Sequence, residues 1–209
     1  MLQFEQVHKS YDQQAIIEIP SLKLEKKIYW LQGSNGSGKT TFLRMLAGLT
    51  PFKGTIILNG INLLEHPQSY RRLISFAESE PLYPSFIRGQ ELVNFYKEIR
   101  KTDSSQTDML IHFFRMHRFL SKPIGTYSSG MIKKLSLLLA FMGRPSLILL
   151  DEPLSTLDEG TTHQMPELIN AYHKEFGTCF IFSSHQPFIS HSQEIHRILI
   201  SDQTLQLIA

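Results

Sequence analysis

An apolar run from Ile28 to Leu31 breaks into Gly33-Ser34-Asn35-Gly36-Ser37-Gly38-Lys39-Thr40-Thr41, then resumes as Phe42-Leu43-Arg44-Met45-Leu46-Ala47-Gly48. The spacing G-x-x-x-x-G-K-T predicts a strand, a tight loop and a helix in that order. Glycines let the backbone turn so that successive N–H groups converge on a phosphate chain. The helix N-terminus adds its partial positive charge there. Lys39 is placed to reach β- and γ-phosphates, and the Thr40 hydroxyl to ligate Mg²⁺. A Gly/Ser-rich turn ending in lysine by accident would explain neither the strand before it nor the helix after it. Residues 33 to 41 are therefore read as a nucleoside-triphosphate loop.

The bulk properties exclude other classes. The chain has 209 residues, enough for one domain carrying a subdomain, and is read as a single domain over 1–209. Its 21 basic and 19 acidic side chains leave a formal charge of only +2. No basic stripe stands out, so no nucleic-acid partner is expected. The basic pairs Lys26-Lys27, Arg71-Arg72 and Lys133-Lys134 read as solvated faces. Cys179 is the one cysteine and lies in a strand-like run, where it reads as a small core residue in a reducing compartment. Met1 to Glu5 shows no secretory leader, and the longest apolar run, Leu137 to Gly143, is far short of the roughly 20 residues of a membrane span.

Along the chain, Ile16–Ile19 and Leu22–Leu24 read as strands interrupted at Pro20-Ser21. Thr55–Leu58 is another strand, and Asn59-Gly60 signals a hairpin. Residues 66 to 74 read as helical, followed by a strand from Ile74 to Ala77. From about 83 to 127, apolar residues recur at helical spacing (Leu92, Phe95, Tyr96, Ile99, then Met109, Leu110, Phe113, Phe114) around a polar loop at Lys101–Gln106. That stretch predicts an inserted, mostly helical subdomain. Met131, Ile132, Leu135, Leu138, Leu139 and Met142 mark one face of a further helix, with Lys133, Lys134 and Ser136 off that face. Apolar strands at Leu147–Leu150 and Thr178–Phe182 suggest a parallel sheet covered on both faces. Arg197–Ser201 and Thr204–Ile208 close the chain as a hairpin around Asp202-Gln203.

Leu147-Ile148-Leu149-Leu150-Asp151-Glu152 is the second nucleotide element. A buried strand delivers Asp151 to its carboxyl end, where it can hold the Mg²⁺ shell, and places Glu152 to orient or deprotonate an attacking water. Tyr127-Ser128-Ser129-Gly130-Met131 precedes it, and Ser155-Thr156-Leu157-Asp158 and Ser184-His185 follow. With these ordered motifs the chain resembles the ATP-binding cassette (ABC) family from Tyr11 to His185. The fold implied is an α/β P-loop NTPase: a mainly parallel central sheet, an N-terminal antiparallel β subdomain and the inserted helical subdomain, formed by residues 83–127 and the helix after them.

The resemblance implies roles for individual residues. Tyr11 would stack on adenine, its alternative being a plain strand-end tyrosine. Gly33 to Thr41 would hold the phosphates, with Thr40 and Asp151 at Mg²⁺. Glu152 would be the catalytic carboxylate and His185 the γ-phosphate sensor. Ser128 and Gly130 match the signature that contacts ATP bound on a second subunit, and Asp158 matches a loop crossing that interface. Two positions depart from the pattern. Ser129 and Met131 replace a glycine and the glutamine of the signature, and the added Cβ of Ser129 predicts a weaker closed dimer. Ser79 stands where a glutamine normally reaches Mg²⁺ and is too short to do so, leaving Ser79, Glu78, Glu80 or a bridging water open.

The expected protein is thus an ATP- and Mg²⁺-dependent ATPase working as a homodimer or pseudo-symmetric dimer. It would lie on the cytoplasmic face of the membrane through a separate integral permease, docking by Pro81-Leu82-Tyr83-Pro84-Ser85-Phe86. The alternatives are a non-transport ABC ATPase serving ribosomes, DNA or cofactor assembly, and a weakly active ATP-binding scaffold.

Overall fold

The computed structural model describes residues 1–12, 14–185 and 195–208. Strands β1 (Leu2–Tyr11) and β2 (Gln14–Leu24) pair antiparallel, and β3 (Ile28–Gln32) leads through the glycine loop into α1 (Lys39–Leu46). β4 (Lys53–Leu58) and β5 (Ile61–Asn62) form the hairpin signalled by Asn59-Gly60, followed by α2 (Pro67–Arg72) and β6 (Ile74–Ala77). Next come α3 (Gly89–Arg100), α4 (Ser104–Phe113), a 3-10 turn at Ile124–Thr126 and α5 (Ser129–Phe141). β7 (Leu147–Asp151), α6 (Glu159–Phe176) and β8 (Cys179–Ser183) complete the nucleotide half. β9 (Ile195–Ser201) and β10 (Thr204–Ile208) make the expected closing hairpin.

All ten strands lie in one sheet, in the order β5-β4-β1-β2-β10-β9-β3-β8-β7-β6. From β9 to β6 every neighbour is parallel. From β5 to β2 every neighbour is antiparallel, and the halves join where Thr204 meets Glu18. The antiparallel region is therefore a continuation of the central sheet.

The apolar central strands are explained by their two covered faces. Ile148, Leu150, Phe180 and Phe182 point into a core built with Val93, Leu110, Leu138, Phe141 and Ile169 from α3 to α6. The alternate residues Leu147, Leu149, Cys179 and Ile181 point the other way, onto Phe42, Leu43, Met45 and Leu46 of α1 and Tyr70 of α2. Each strand residue thus meets apolar surface whichever way it faces. Cys179 is a buried core thiol, and burial raises its pKa to about 11. Among the described residues no helix is long and apolar enough to cross a membrane.

Three local expectations are corrected. β2 runs unbroken through Pro20, which is exposed, because the residues on either side of it, Ile19 and Ser21, pair with Val7 and Glu5 of β1 and keep the strand in register. The 101–106 loop is shorter than expected: Asp103 accepts the Gln106 N–H at 2.7 Å and so starts α4 at Ser104. Finally, α5 is buried almost all round, and Lys133 and Ser136 are 1% and 3% exposed. The helix passes between α3, α4 and the sheet edge, so the face assigned to solvent is interior.

Candidate functional site

The glycine loop closes tightly before α1. Gly38 has φ +99°, a left-handed conformation costly for other residues, and a Cβ there would meet Ile16 Cγ2 at 3.0 Å. The Lys39 ammonium folds over the loop and donates to the carbonyl oxygens of Gly33 and Ser34, each at 2.9 Å. Both acceptors are neutral, so an anionic phosphate oxygen would be the stronger partner for the same donor.

Opposite the loop, β7 delivers its two carboxylates. Asp151 is buried at 1% exposure and is in register with Ser183 of β8. Its Oδ2 accepts the Thr40 hydroxyl at 2.8 Å, and its Oδ1 accepts the Ser183 hydroxyl at 2.6 Å. Ser183 Oγ in turn accepts the Glu152 N–H at 3.0 Å. Glu152 has φ +47°, a strained position for a residue with a side chain. The His185 N–H donates to Glu152 Oε2 at 3.3 Å, and His185 Nε2 lies 3.4 Å from Glu152 Oε1. That Oε1 is buried and makes no hydrogen bond. Trp30 Nε1 donates to the Ser184 carbonyl at 3.1 Å and so ties the His185 segment to β3.

These groups converge. Tyr11, Asn35, Gly36, Gly38, Lys39, Thr40, Thr41, Ser79, Asp151, Glu152 and His185 line one cleft of about 480 Å³. Gly33, Ser34 and Ser37 complete the loop behind it. Tyr11 is half exposed at the end of β1, with the Lys9 ammonium 4.2 Å from its ring centroid. Thr40 and Asp151 offer two hard oxygen donors in contact, the kind of partial shell that Mg²⁺ completes with phosphates and water. A wider depression of about 930 Å³, lined by Arg71, Arg72, Arg100 and Arg144 among others, holds none of the motif residues.

Ser128 and Gly130 lie elsewhere, at the N-terminus of α5. Ser128 Oγ caps the helix by accepting the Met131 N–H at 3.3 Å. A Cβ on Gly130 would stand 2.6 Å from the Thr156 carbonyl oxygen, so glycine is needed for close approach to the 155–158 loop. Asp158 caps α6 through the Thr161 N–H at 3.0 Å and pairs with the Lys134 ammonium. The Lys134 hydrogen bond, helped by Thr161, holds the Asp158 carboxyl well below its ordinary 3.8. A depressed carboxylate contributes stability that is complete above the unfolded-state value and lost as pH falls below it. Asp158→Ala should therefore cost about 1 kcal/mol, roughly 2–4 °C in Tm, at neutral pH. It should also flatten the fall of Tm with pH below about 4, measured by thermal melts across pH.

Several supporting residues carry no motif. Ser183 is detectable only by its register beside Asp151. Glu78, one of the open Mg²⁺ candidates, is engaged instead with Arg44 of α1 at 2.8 Å. Lys133 donates to the carbonyl oxygens of Glu78 at 2.8 Å, Ser79 at 3.3 Å and Asp151 at 2.8 Å. Burial lowers its pKa to about 8, while the charges of Asp151 and Glu152 pull the other way. In the segment after Ser79, Leu82 and Phe86 stand out at 92% and 81% exposure. Tyr83 turns inward, where burial raises its phenol to about 12 despite a hydrogen bond with Ser136.

A glycine loop ahead of α1, a strand-end acid pair and a parallel sheet define a P-loop NTPase of α/β architecture. The family model described as ABC transporter matches residues 20–155, and the chain belongs to that family. The ABC transporter ATP-binding protein YtrB of Bacillus subtilis (strain 168) is 33% identical over 189 residues, covering 89% of this chain and 64% of the relative. The putrescine transport ATP-binding protein PotG of Escherichia coli (strain K12) is 30% identical over 200 residues, covering 93% and 51%. The chain thus spans about half to two thirds of the length of such curated relatives. A solved ATP binding subunit of an ABC transporter superposes with TM-score 0.87 at 23% identity, covering 98% of this chain and 88% of the other. A dimeric cassette in a post-hydrolysis state bound to ADP and Pi superposes with TM-score 0.85 at 18% identity, covering 99% and 97%. At these identities both show the fold.

Proposed function

We propose that the chain binds and hydrolyses ATP as one half of a dimer and powers transport through a separate membrane-spanning partner. The observation that carries this reading is the convergence of the glycine loop, the Thr40–Asp151 contact, Glu152 and His185 in one cleft. Lys39 exchanges the Gly33 and Ser34 carbonyls for phosphate oxygens. Thr40 and Asp151 would hold Mg²⁺, which would supply positive charge against the phosphates. Glu152, held by His185 and by the backbone bond to Ser183, accepts the proton of the attacking water. Tyr11 offers its ring to the adenine. Ser128 and Gly130 are outside this cleft, so they serve a nucleotide bound to a second copy. The dimeric solved neighbour supports that arrangement.

Phosphate release with Mg²⁺–ATP tests hydrolysis. A rate indistinguishable from an EDTA-treated control would favour the ATP-binding scaffold, the reading that Ser79 and Ser129 motivate. The transport half rests on the exposed Leu82 and Phe86; Leu82 also lines a groove of about 380 Å³ with Leu49, Phe76, Pro81 and Tyr96 and with the charged Arg71, Glu78 and Arg100, an amphipathic seat for a helix of the membrane partner. Leu82→Glu with Phe86→Glu should abolish co-purification of a membrane protein from detergent-solubilised native membranes while the variant still folds. Equal recovery from both forms would remove this segment from docking.

A further inference from the structure

We propose that Lys133 is a positioning residue for hydrolysis, locking the 78–79 segment to the strand end that carries Asp151 and Glu152. The proposal rests on the ATPase reading above and adds the part that joins two of its loops.

A lysine ammonium has three donors, and here all three are used on backbone carbonyls: Glu78, Ser79 and Asp151. The first two acceptors follow β6 and the third ends β7, so one side chain from α5 bridges segments far apart in sequence. Lys133 is 1% exposed, so its ammonium is satisfied by these carbonyls and not by bulk water. The Glu78 side chain is held from the other direction by Arg44 of α1, the helix that begins at Lys39. The 78–79 segment is thus fixed on one side to the phosphate-loop helix and on the other to the acid-bearing strand.

This arrangement bears on Ser79. Its side chain lines the cleft but is short, so its usefulness depends on where its backbone is held. Lys133 sets that backbone relative to Asp151 by direct hydrogen bonds. The segment Pro81 to Phe86, which exposes Leu82 and Phe86, starts two residues further on, and a displacement there reaches the Asp151 carbonyl through the same ammonium. Lys133 does not itself line the cleft and makes no hydrogen bond to the phosphate loop, so it acts through the groups it holds.

Lys133→Met keeps the length of the side chain and removes the three donors. Lys133→Gln keeps a shorter donor and serves if the methionine variant does not fold. For each, the melting temperature, kcat and KM for ATP would be measured, together with ATP affinity by calorimetry with and without Mg²⁺. In a folded variant, kcat is expected to fall by about fivefold or more, with Mg²⁺-free ATP affinity within about twofold of wild type. The gain in ATP affinity on adding Mg²⁺ should shrink, and Gln should lie between Met and Lys. A folded variant with a smaller fall in kcat and an undiminished Mg²⁺ gain would overturn the proposal, as would equal loss of affinity with and without Mg²⁺. If the wild-type chain hydrolyses no ATP, the ATPase reading fails by itself, and the Mg²⁺ gain still decides the role of Lys133.

Discussion

Glu152→Gln is expected to bind ATP as the wild type does and to release phosphate at least about a hundredfold more slowly. The substitution is nearly isosteric, so its effects can be separated. The backbone bond to Ser183 Oγ is independent of the side chain. A glutamine oxygen can still accept the His185 N–H now held at 3.3 Å. What disappears is a carboxylate able to take a proton from water. If Glu152 only anchored the His185 segment, glutamine would serve as well and the rate would hardly change. Steady-state and single-turnover phosphate release distinguish the two, because the predicted defect lies in the chemical step. Wild-type turnover would remove Glu152 from the mechanism.

Lys39→Ala should act on binding. The ammonium now rests on two neutral carbonyls, and a phosphate oxygen would give a charge-assisted bond in their place. Losing such a contact costs roughly 1.5–3 kcal/mol, about 10- to 150-fold in ATP affinity. The folded chain should lose little, because the Gly33 and Ser34 carbonyls are near the surface and can turn to water. Calorimetric titration with ATP measures the effect against an unchanged melting temperature. Affinity equal to wild type would mean that the loop holds phosphate by its backbone alone.

Much of this was legible in the residues themselves. The glycine loop, the apolar strand ending in Asp151 and the Asn59-Gly60 hairpin are local signals, each decided within a few residues. The two-sided burial of β7 and β8 also followed from their unbroken apolar runs. Features that depend on contacts between distant segments were not legible. Lys133 and Ser136 read as solvent-facing because the helical face was counted from its most apolar residues. The run Leu137-Leu138-Leu139-Ala140-Phe141, apolar on every side, was the available sign that α5 is enclosed. Pro20 read as a strand break because the pairing of Ile19 and Ser21 with β1 could not be known. Ser183 shows itself only in the register with Asp151. The division between Tyr83, turned inward, and Leu82 and Phe86, turned outward, depends on how the connection lies over α5.

The central claim is that the cleft around Lys39 and Glu152 is half of a site completed by Ser128 and Gly130 of a second copy. The most direct test is the molar mass of the Glu152→Gln protein in solution, by light scattering, with and without saturating Mg²⁺–ATP. The mass should double with ATP and stay monomeric with ADP, and adding Lys39→Ala should prevent the doubling. A Glu152→Gln protein that binds ATP by calorimetry yet remains a monomer would contradict the account.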